Sequence, residues 1–263
     1  MKIIMMALVL LLATVAGVRA ANWDLVWADE FDSPGLPDKS KWDYEEGFVR
    51  NRELQYYTRA RLENARVEGG NLVIECRKER FTPPNRAPVE YTSASLITKN
   101  RASWQYGRIE VKAKLPQGKG VWPAIWTLGV KGGWPAGGEI DIMEYVGKEP
   151  DNLYATLHYA LNGKHQSDGG KLQTPKPADD FHLYAVEWDA TKIDFFFDRK
   201  KYRSVLLDKA GAGADNPFRK PHYLLLNFAL GGSWGGAVDN SILPQKYLVD
   251  YVRVYRQRGD RHL

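Results

Sequence analysis

An alternation of apolar and charged residues with a period of two is the feature that most constrains this chain. In the segment 107–115, Ile109, Val111 and Ala113 alternate with charged side chains, and Pro116 ends the run. Successive side chains of a β-strand point to opposite sides, so this pattern predicts a strand with one buried face and one solvated face. The same alternation recurs in the segments 186–189, 193–198 and 248–255.

Continuous apolar runs and frequent turns complete the predicted architecture. The run Tyr223–Leu230 is nearly all apolar, which is typical of a strand buried on both faces. Turn-forming clusters of Gly, Pro and Asn separate the runs, and we find no long helical periodicity, internal repeat or linker. Short helical turns are expected only at residues 246–248 and within 205–214. We therefore predict an all-β fold, an antiparallel β-sandwich or jelly roll.

Residues 1–20 have the pattern of a signal peptide. Lys2 supplies a positive start, an apolar run follows, and Val18-Arg19-Ala20 has the small residues that a signal peptidase requires. The apolar run is shorter than the span of about 20 residues that a transmembrane helix needs. We expect cleavage near Ala20, one domain over residues 21–263, and a secreted or periplasmic location. An N-terminal membrane anchor is the alternative.

The charge pattern and the cysteine content argue against several classes of protein. The net charge is +5, and basic residues are mixed with acidic ones along the chain, so nucleic-acid binding is not expected. Cys76 is the only cysteine, which excludes an internal disulfide and a cysteine zinc site, and we expect a buried structural thiol. We expect a monomer that uses no cofactor in catalysis and contacts no membrane after the signal peptide is removed.

The candidate chemistry lies in residues 137–147, where three acids follow two glycines. Glu139 and Asp141 alternate with isoleucines, so the segment reads as a strand with one apolar face and one carboxylate face. Glu144 comes five residues after Glu139, and in a regular strand it would point to the opposite side. One β-bulge around residues 142–143 would turn it back, and bulges are frequent next to active sites.

Two carboxylates in this arrangement suit the cleavage of a glycosidic bond. Four strand rises separate the glutamate Cα atoms by about 13 Å. If the two glutamate side chains lean towards each other, their carboxyl groups come to about 5–5.5 Å apart, which is the carboxyl separation of retaining glycosidases. One glutamate would attack the anomeric carbon, and the other would protonate the leaving oxygen and then activate water. Asp141 would share a proton with the nucleophile, because three crowded carboxylates cannot all ionise cheaply. A solvated strand face without function is the alternative.

Other motifs of the chain lead to a family. The segments 122–126 (WPAIW) and 133–135 (GWP) precede the acidic strand. With these motifs the sequence resembles glycoside hydrolase family sixteen, most closely the bacterial laminarinases, which are endo-1,3-β-glucanases. The likeness covers essentially the whole mature chain. Its further segments are 27–31, 51–58, 91–94, 106–108, 155–159, 181–189 and 249–255.

The resemblance implies a β-jelly-roll sandwich whose concave sheet forms a glycan cleft. It implies Glu139 as nucleophile, Asp141 as assisting residue and Glu144 as acid/base. The resemblance also implies that licheninases of the family carry a shorter Glu-x-Asp-x-Glu strand without a bulge. The extra Met143 of this chain therefore favours 1,3-β-glucan over an obligate mixed-linkage substrate. The implied substrate-binding residues are Asn51, Trp122, Trp126, His158 and Trp234.

Aromatic side chains support this cleft independently, because flat rings bury the apolar C–H faces of sugars. The cleft tryptophans lie in glycine-rich surroundings, whereas Trp42 and Trp188 lie in strand patterns and are expected in the core. For His158 a purely structural role is the alternative.

The resemblance also implies one structural calcium ion on the convex side of the sandwich. The matching positions are Glu30, the backbone carbonyl of Gly70, and Asp250. Oxygen ligands suit calcium. The ion would stabilise the fold and take no part in catalysis, and the alternative is a pair of ordinary surface acids.

Three other interpretations remain open. The segment 231–235 matches the Gly-x-Ser-x-Gly esterase motif, but that motif needs a following helix, and we interpret the segment as a loop. A non-catalytic glucan-recognition protein of the same fold would be expected to have lost the acids. The same mechanism on mixed-linkage β-glucan, on xyloglucan, or on a galactan such as agarose or the sulfated carrageenan would depend on the loops around the cleft.

Overall fold

The structure is a computed structural model that describes residues 23–259, and two β-sheets make up most of it. Strands are numbered in chain order. The seven-stranded sheet contains, in spatial order, β12 (Lys164–Gln173), β11 (Asn152–Leu161), β10 (Glu139–Glu144), β9 (Val121–Gly129), β16 (His222–Leu230), β7 (Ser95–Ile97) and β2 (Asp43–Tyr44).

The ten-stranded sheet covers the other side of the core. Its spatial order is β15 (Lys200–Leu206), β14 (Lys192–Phe197), β13 (His182–Trp188), β8 (Gly107–Lys114), β17 (Gln245–Gln257), β5 (Asn71–Phe81), β6 (Val89–Ser93) and β3 (Tyr56–Tyr57), with β1 (Trp23–Asp29) on β17 and β4 (Ala65–Glu68) on β5. The β3–β6 pair is parallel. The pairs that form the seven-stranded sheet are all antiparallel.

Helical structure in the described residues is limited to single turns. The turns are Leu207–Ala210, Pro217–Arg219, Gly232–Gly235 and Asn240–Ile242. The turn predicted within 205–214 is confirmed, whereas the other three turns were not predicted. The turn predicted at 246–248 is wrong, because these residues form ladder pairs with β5 and Tyr247 is buried in the core. No helix between residues 23 and 259 is long and apolar enough to span a bilayer.

The core lies between the two sheets, and residue parity decides which side chains enter it. In β8, Ile109, Val111 and Ala113 are buried while the charged residues between them stay partly exposed, as the period of two predicts. Strand β16 is buried along its whole length, because it lies inside the seven-stranded sheet with side chains packed on both faces. The predicted all-β jelly-roll sandwich is confirmed.

The core also contains the aromatic residues that the strand patterns assigned to it. Trp188 is 2% exposed, and its Nε1 donates a hydrogen bond of 2.8 Å to the Phe218 carbonyl oxygen. Trp42 is 1% exposed, and its Nε1 donates to Asp29 Oδ2 at 2.7 Å. Cys76 is fully buried, and burial raises the pKa of its thiol, as a structural role requires.

The predicted signal peptide and its cleavage site lie outside the described residues. Both stay predictions, and so does the domain boundary at residue 21.

Replacing Trp188 by alanine should lower the free energy of unfolding by about 3–5 kcal/mol, because the change leaves a large cavity in the core. The matched control is Trp134→Ala. Trp134 is 58% exposed, so this variant should cost less than about 1 kcal/mol. Urea denaturation of both variants measures the difference, and similar losses would contradict this assignment of the core.

Candidate active site

Strand β10 contains the predicted bulge. Its register with β9 shifts between Asp141 and Met143, so Ile142 is the additional residue. The register with β11 shifts over the same stretch, between Asp141 and Glu144. Ile142 and Met143 are consecutive, yet both are buried in the core between the sheets. Glu144 therefore returns to the face that carries Glu139 and Asp141.

The neighbouring strands present alternate side chains on this same face and enclose a cleft of about 660 Å³. Asp141 lies at the base of the cleft, beside Asn227 of β16. The structure brings every predicted catalytic and substrate-binding residue to this cleft, and their roles stay predictions. These residues are Asn51, Trp122, Trp126, Glu139, Asp141, Glu144, His158 and Trp234.

An indole donates a hydrogen bond to each glutamate. Trp134 Nε1 donates to Glu139 Oε2 at 2.7 Å, and Trp122 Nε1 donates to Glu144 Oε1 at 3.1 Å. These bonds orient the two carboxyl groups from opposite sides of the central Asp141.

Burial and mutual repulsion control the protonation of the three acids. Asp141 is 2% exposed, and burial, followed by the charges of Glu139 and Glu144, raises its pKa well above the usual range. Burial raises the pKa of Glu144 to about 8, although the Trp122 hydrogen bond opposes the shift. Burial also raises the pKa of Glu139, and hydrogen bonds from Asp141 and Trp134 oppose it. At neutral pH Glu144 holds its proton, burial favours the protonated form of Asp141, and the donors around Glu139 stabilise its ionised form.

A pair of histidines closes the cleft beside Asp141. His158 Nε2 lies 3.4 Å from Asp141 Oδ2, and His158 Nδ1 lies 3.0 Å from His165 Nε2. Burial, followed by the nearby His165, lowers the pKa of His158 to about 4, so its imidazole is neutral at neutral pH. Oxygen and nitrogen atoms of Glu139, Asp141 and His158 all lie within 4.8 Å of one another, which also suits a metal ion.

The opposite wall contains residues that the sequence alone did not indicate. The Arg50 guanidinium carbon lies 4.7 Å from the centroid of the Trp126 ring. Asn51 Nδ2 donates to Glu53 Oε1 at 3.2 Å, and Glu53 is 6% exposed. Arg50 is held in the cleft by a residue far away in the chain, whereas Glu53 is bonded to Asn51, two positions before it. No local pattern around Arg50 indicated its contact with Trp126.

Trp134 and Tyr154 also line the cleft and were not predicted. A signal for Trp134 was present, because it lies in a glycine-rich segment directly before the acidic strand. Tyr154 is on β11 and packs on Trp234 with ring centroids 4.8 Å apart, and its alternation with buried neighbours could have indicated this face.

The Gly-x-Ser-x-Gly segment forms a loop around a single helical turn, as interpreted from the sequence. Ser233 is exposed, and its backbone N–H donates to the Asn51 carbonyl oxygen at 2.8 Å. A Cβ on Gly232 would lie 2.8 Å from that same oxygen, so only glycine permits this approach. The loop therefore positions Asn51 at the cleft.

The residues predicted to bind calcium have basic partners. Arg253 Nε and Nη2 each donate to a different oxygen of Glu30 at 2.8 Å, and Lys112 Nζ lies 2.7 Å from Asp250 Oδ2. Gly70 lies in the turn between β4 and β5. In this arrangement an ion at Glu30 or Asp250 would share each carboxylate with a basic side chain.

This fold and this cleft define the class of β-sandwich glycoside hydrolases. A family model, glycosyl hydrolases family 16, matches residues 53–253, and the chain belongs to this family.

Similar proteins cover nearly the whole chain. A β-glucanase of Rhodothermus marinus is 47% identical, over 90% of this chain and 87% of the relative. The structure of the laminarinase from Rhodothermus marinus matches with a TM-score of 0.81 and 47% identity, covering 90% of this chain and 99% of that one. The structure of SCLam, a non-specific endo-β-1,3(4)-glucanase, matches with a TM-score of 0.83 and 44% identity. The match covers 90% of this chain and 92% of that one.

The buried acids should make stability depend on pH. The pKa of Glu144 is about 8 in the folded protein against an ordinary value of 4.5. The unfolded chain therefore releases a proton that the folded state keeps, and this group lowers the free energy of unfolding as pH rises from about 4.5 to about 8. Glu144→Gln should be more stable than the parent at pH 8.5, and the difference should shrink towards pH 4.

Thermal unfolding at both pH values measures this effect. The matched control is Glu90→Gln, which replaces an exposed glutamate and should leave the midpoint nearly unchanged at both pH values. An equal gain for Glu144→Gln at pH 4 and pH 8.5 would contradict the assigned protonation.

Proposed function

We propose that the protein is a retaining, endo-acting glycoside hydrolase that cleaves 1,3-β-glucan of the laminarin type by double displacement. The observation that carries the proposal is the bulge at Ile142, because it places Glu144 beside Glu139 and Asp141 on the cleft face. The similarity to a laminarinase at 47% identity supports the substrate class.

In the first step, Glu139 attacks the anomeric carbon as an ionised carboxylate and forms a glycosyl ester. The bond between that carbon and the glycosidic oxygen breaks, and Glu144 gives its proton to the leaving oxygen. A pKa of about 8 keeps this proton on Glu144 at neutral pH. The hydrogen bond from Trp134 and the proton on Asp141 favour the ionised form of Glu139.

In the second step, Glu144 is ionised and takes a proton from water, and the water oxygen attacks the anomeric carbon. Glu139 leaves as a carboxylate, and the configuration is retained because two inversions have occurred. Asp141 stabilises the negative charge that returns to Glu139 through its hydrogen bond to that carboxylate. Its raised pKa supplies the proton for this bond.

Aromatic rings supply the affinity for the sugar chain. Trp122 and Trp234 meet edge to face with centroids 5.4 Å apart, and Tyr154 packs on Trp234 from the other side. Four residues further along β9, Trp126 Nε1 donates to Asn227 Oδ1 at 2.7 Å, which fixes the plane of the ring. Rigid rings bind the C–H faces of glucose, and Asn51 and His158 provide the polar contacts.

Mixed-linkage β-glucan is the second candidate substrate. A related structure with 44% identity is described as a non-specific endo-β-1,3(4)-glucanase, which favours this alternative within the same mechanism. The open cleft of about 660 Å³ is large enough for several sugar units of either glucan.

The remaining proposals concern the setting of the enzyme. The signal-peptide pattern of residues 1–20 supports secretion or a periplasmic location. A monomer without a catalytic cofactor also stays a proposal. A structural calcium ion at Glu30, Gly70 and Asp250 also stays a proposal, and it would share the two carboxylates with Arg253 and Lys112.

Alanine at position 139 or 144 should lower hydrolysis by at least about 10²-fold, because each variant loses a reacting group. With an activated aryl glucoside, azide should rescue Glu144→Ala and give a β-glycosyl azide, since a glycosyl-enzyme still forms. Azide should rescue Glu139→Ala by direct attack and give the α-glycosyl azide. NMR of the products distinguishes the two. Asp141→Asn is the control, with a milder loss, and the same anomer from both variants would reverse or remove the assigned roles.

Digestion of laminarin, lichenan and κ-carrageenan in parallel tests the substrate. We expect oligosaccharides of several sizes early in the laminarin reaction, because an endo-acting cleft opens at both ends. Lichenan should react more slowly and κ-carrageenan should not react. Chromatography with a reducing-end assay measures this. Tight binding of laminarin without new reducing ends would instead identify a glucan-recognition protein.

A further inference from the structure

One cluster in the cleft has the chemistry of a transition-metal site. Among residues 23–259, Glu139, Asp141 and His158 form the one group of three such side chains whose ligand atoms lie within 4.8 Å of one another. The group combines two carboxyl groups with an imidazole, a donor set that suits zinc when the ion displaces the proton of Asp141. The reaction proposed above uses the two acids but needs no imidazole nitrogen directed at them.

The distances agree with tetrahedral coordination. His158 Nε2 lies 3.4 Å from Asp141 Oδ2. Zinc bonds of about 2.0–2.2 Å place neighbouring tetrahedral ligands about 3.4 Å apart, so an ion fits between these two atoms without backbone movement. Glu139 contributes the third ligand atom, which lies within 4.8 Å of the other two.

Asp141 also lacks a partner where the ion would bind. Its side chain is 2% exposed, and Oδ2 has no hydrogen-bond partner in the described part of the chain. An oxygen acceptor that is buried without a donor costs free energy, and a cation would satisfy it. Asp141 Oδ2 is the atom that faces His158.

Surrounding residues orient the ligands in the way that metal sites require. His165 Nε2 lies 3.0 Å from His158 Nδ1, and when Nδ1 carries the proton the lone pair of His158 Nε2 points at Asp141. The His165 ring is in turn held by Trp134, with centroids 4.7 Å apart. Trp134 also donates to Oε2 of Glu139, which leaves the other oxygen of that carboxylate for an ion.

We propose that Glu139, Asp141 and His158 bind Zn²⁺, with His165 as the positioning residue, and that the bound ion blocks the nucleophile. The binding does not depend on the function proposed above, whereas the inhibition does. Calcium and magnesium should compete poorly, because they prefer sites built entirely of oxygen.

Isothermal titration with ZnCl₂ in metal-free buffer tests the binding, and the d–d absorption of Co²⁺ reports its geometry. We expect one ion per chain. His158→Gln and Asp141→Asn should each weaken binding more than tenfold, and His165→Gln should weaken it by about tenfold, since it removes only an orienting hydrogen bond.

The matched control is His182→Gln, which should leave zinc affinity unchanged. His182 also faces a carboxylate, with Nδ1 2.7 Å from Asp198 Oδ2, but it lacks a third ligand. Thermal unfolding without zinc verifies that each variant is folded. An affinity that is the same in His158→Gln and Asp141→Asn as in the parent, or the absence of binding at millimolar zinc, would overturn the site.

Laminarin hydrolysis tests the second half of the proposal. Zinc should raise the apparent KM, a chelator should reverse the effect, and His165→Gln should need about tenfold more zinc for the same inhibition. Zinc binding without inhibition would overturn the block of the nucleophile and leave the site intact. A protein that binds zinc as described but never hydrolyses laminarin would refute the proposed function and not the metal site.

Discussion

The structure depends on the burial of one apolar face of the seven-stranded sheet against the ten-stranded sheet. Alternate residues of β9, β10, β11 and β16 enter this core, and the residues between them are left on the opposite face. A single departure from this parity, at Ile142, determines the active site. Because both Ile142 and Met143 are buried in the core, burial of two apolar side chains stabilises the bulge that returns Glu144 to the cleft.

The aromatic residues of the cleft have more than one effect. Trp122 and Trp134 present flat apolar surfaces to the cleft, and their indole nitrogens also orient the two glutamates. Trp126 does the same for Asn227. An indole is well suited to this combination, because it buries a large apolar area and carries one fixed donor. In the proposed function, binding of the sugar and alignment of the reacting groups are therefore provided by the same rigid side chains.

The grouping of three acids under this wall is unfavourable for the folded state taken alone. Burial raises the pKa of each of them, which means that the fold resists their ionisation. The same resistance keeps a proton on Glu144 near neutral pH, and a general acid needs that proton. The buried acids that the reaction requires therefore lower the stability of the folded state, a frequent relation at active sites.

The sequence by itself determined the strands, the sandwich and the acids. Period-two alternation such as that of residues 107–115 is a local property, and so is the five-residue spacing from Glu139 to Glu144 that required a bulge. Only the tertiary structure decided which residues complete the cleft. Arg50 on Trp126 and His165 beside His158 are contacts between separate strands and loops. Such contacts depend on how the sheet and the loops bring distant segments together, and no local pattern along the chain carries that information.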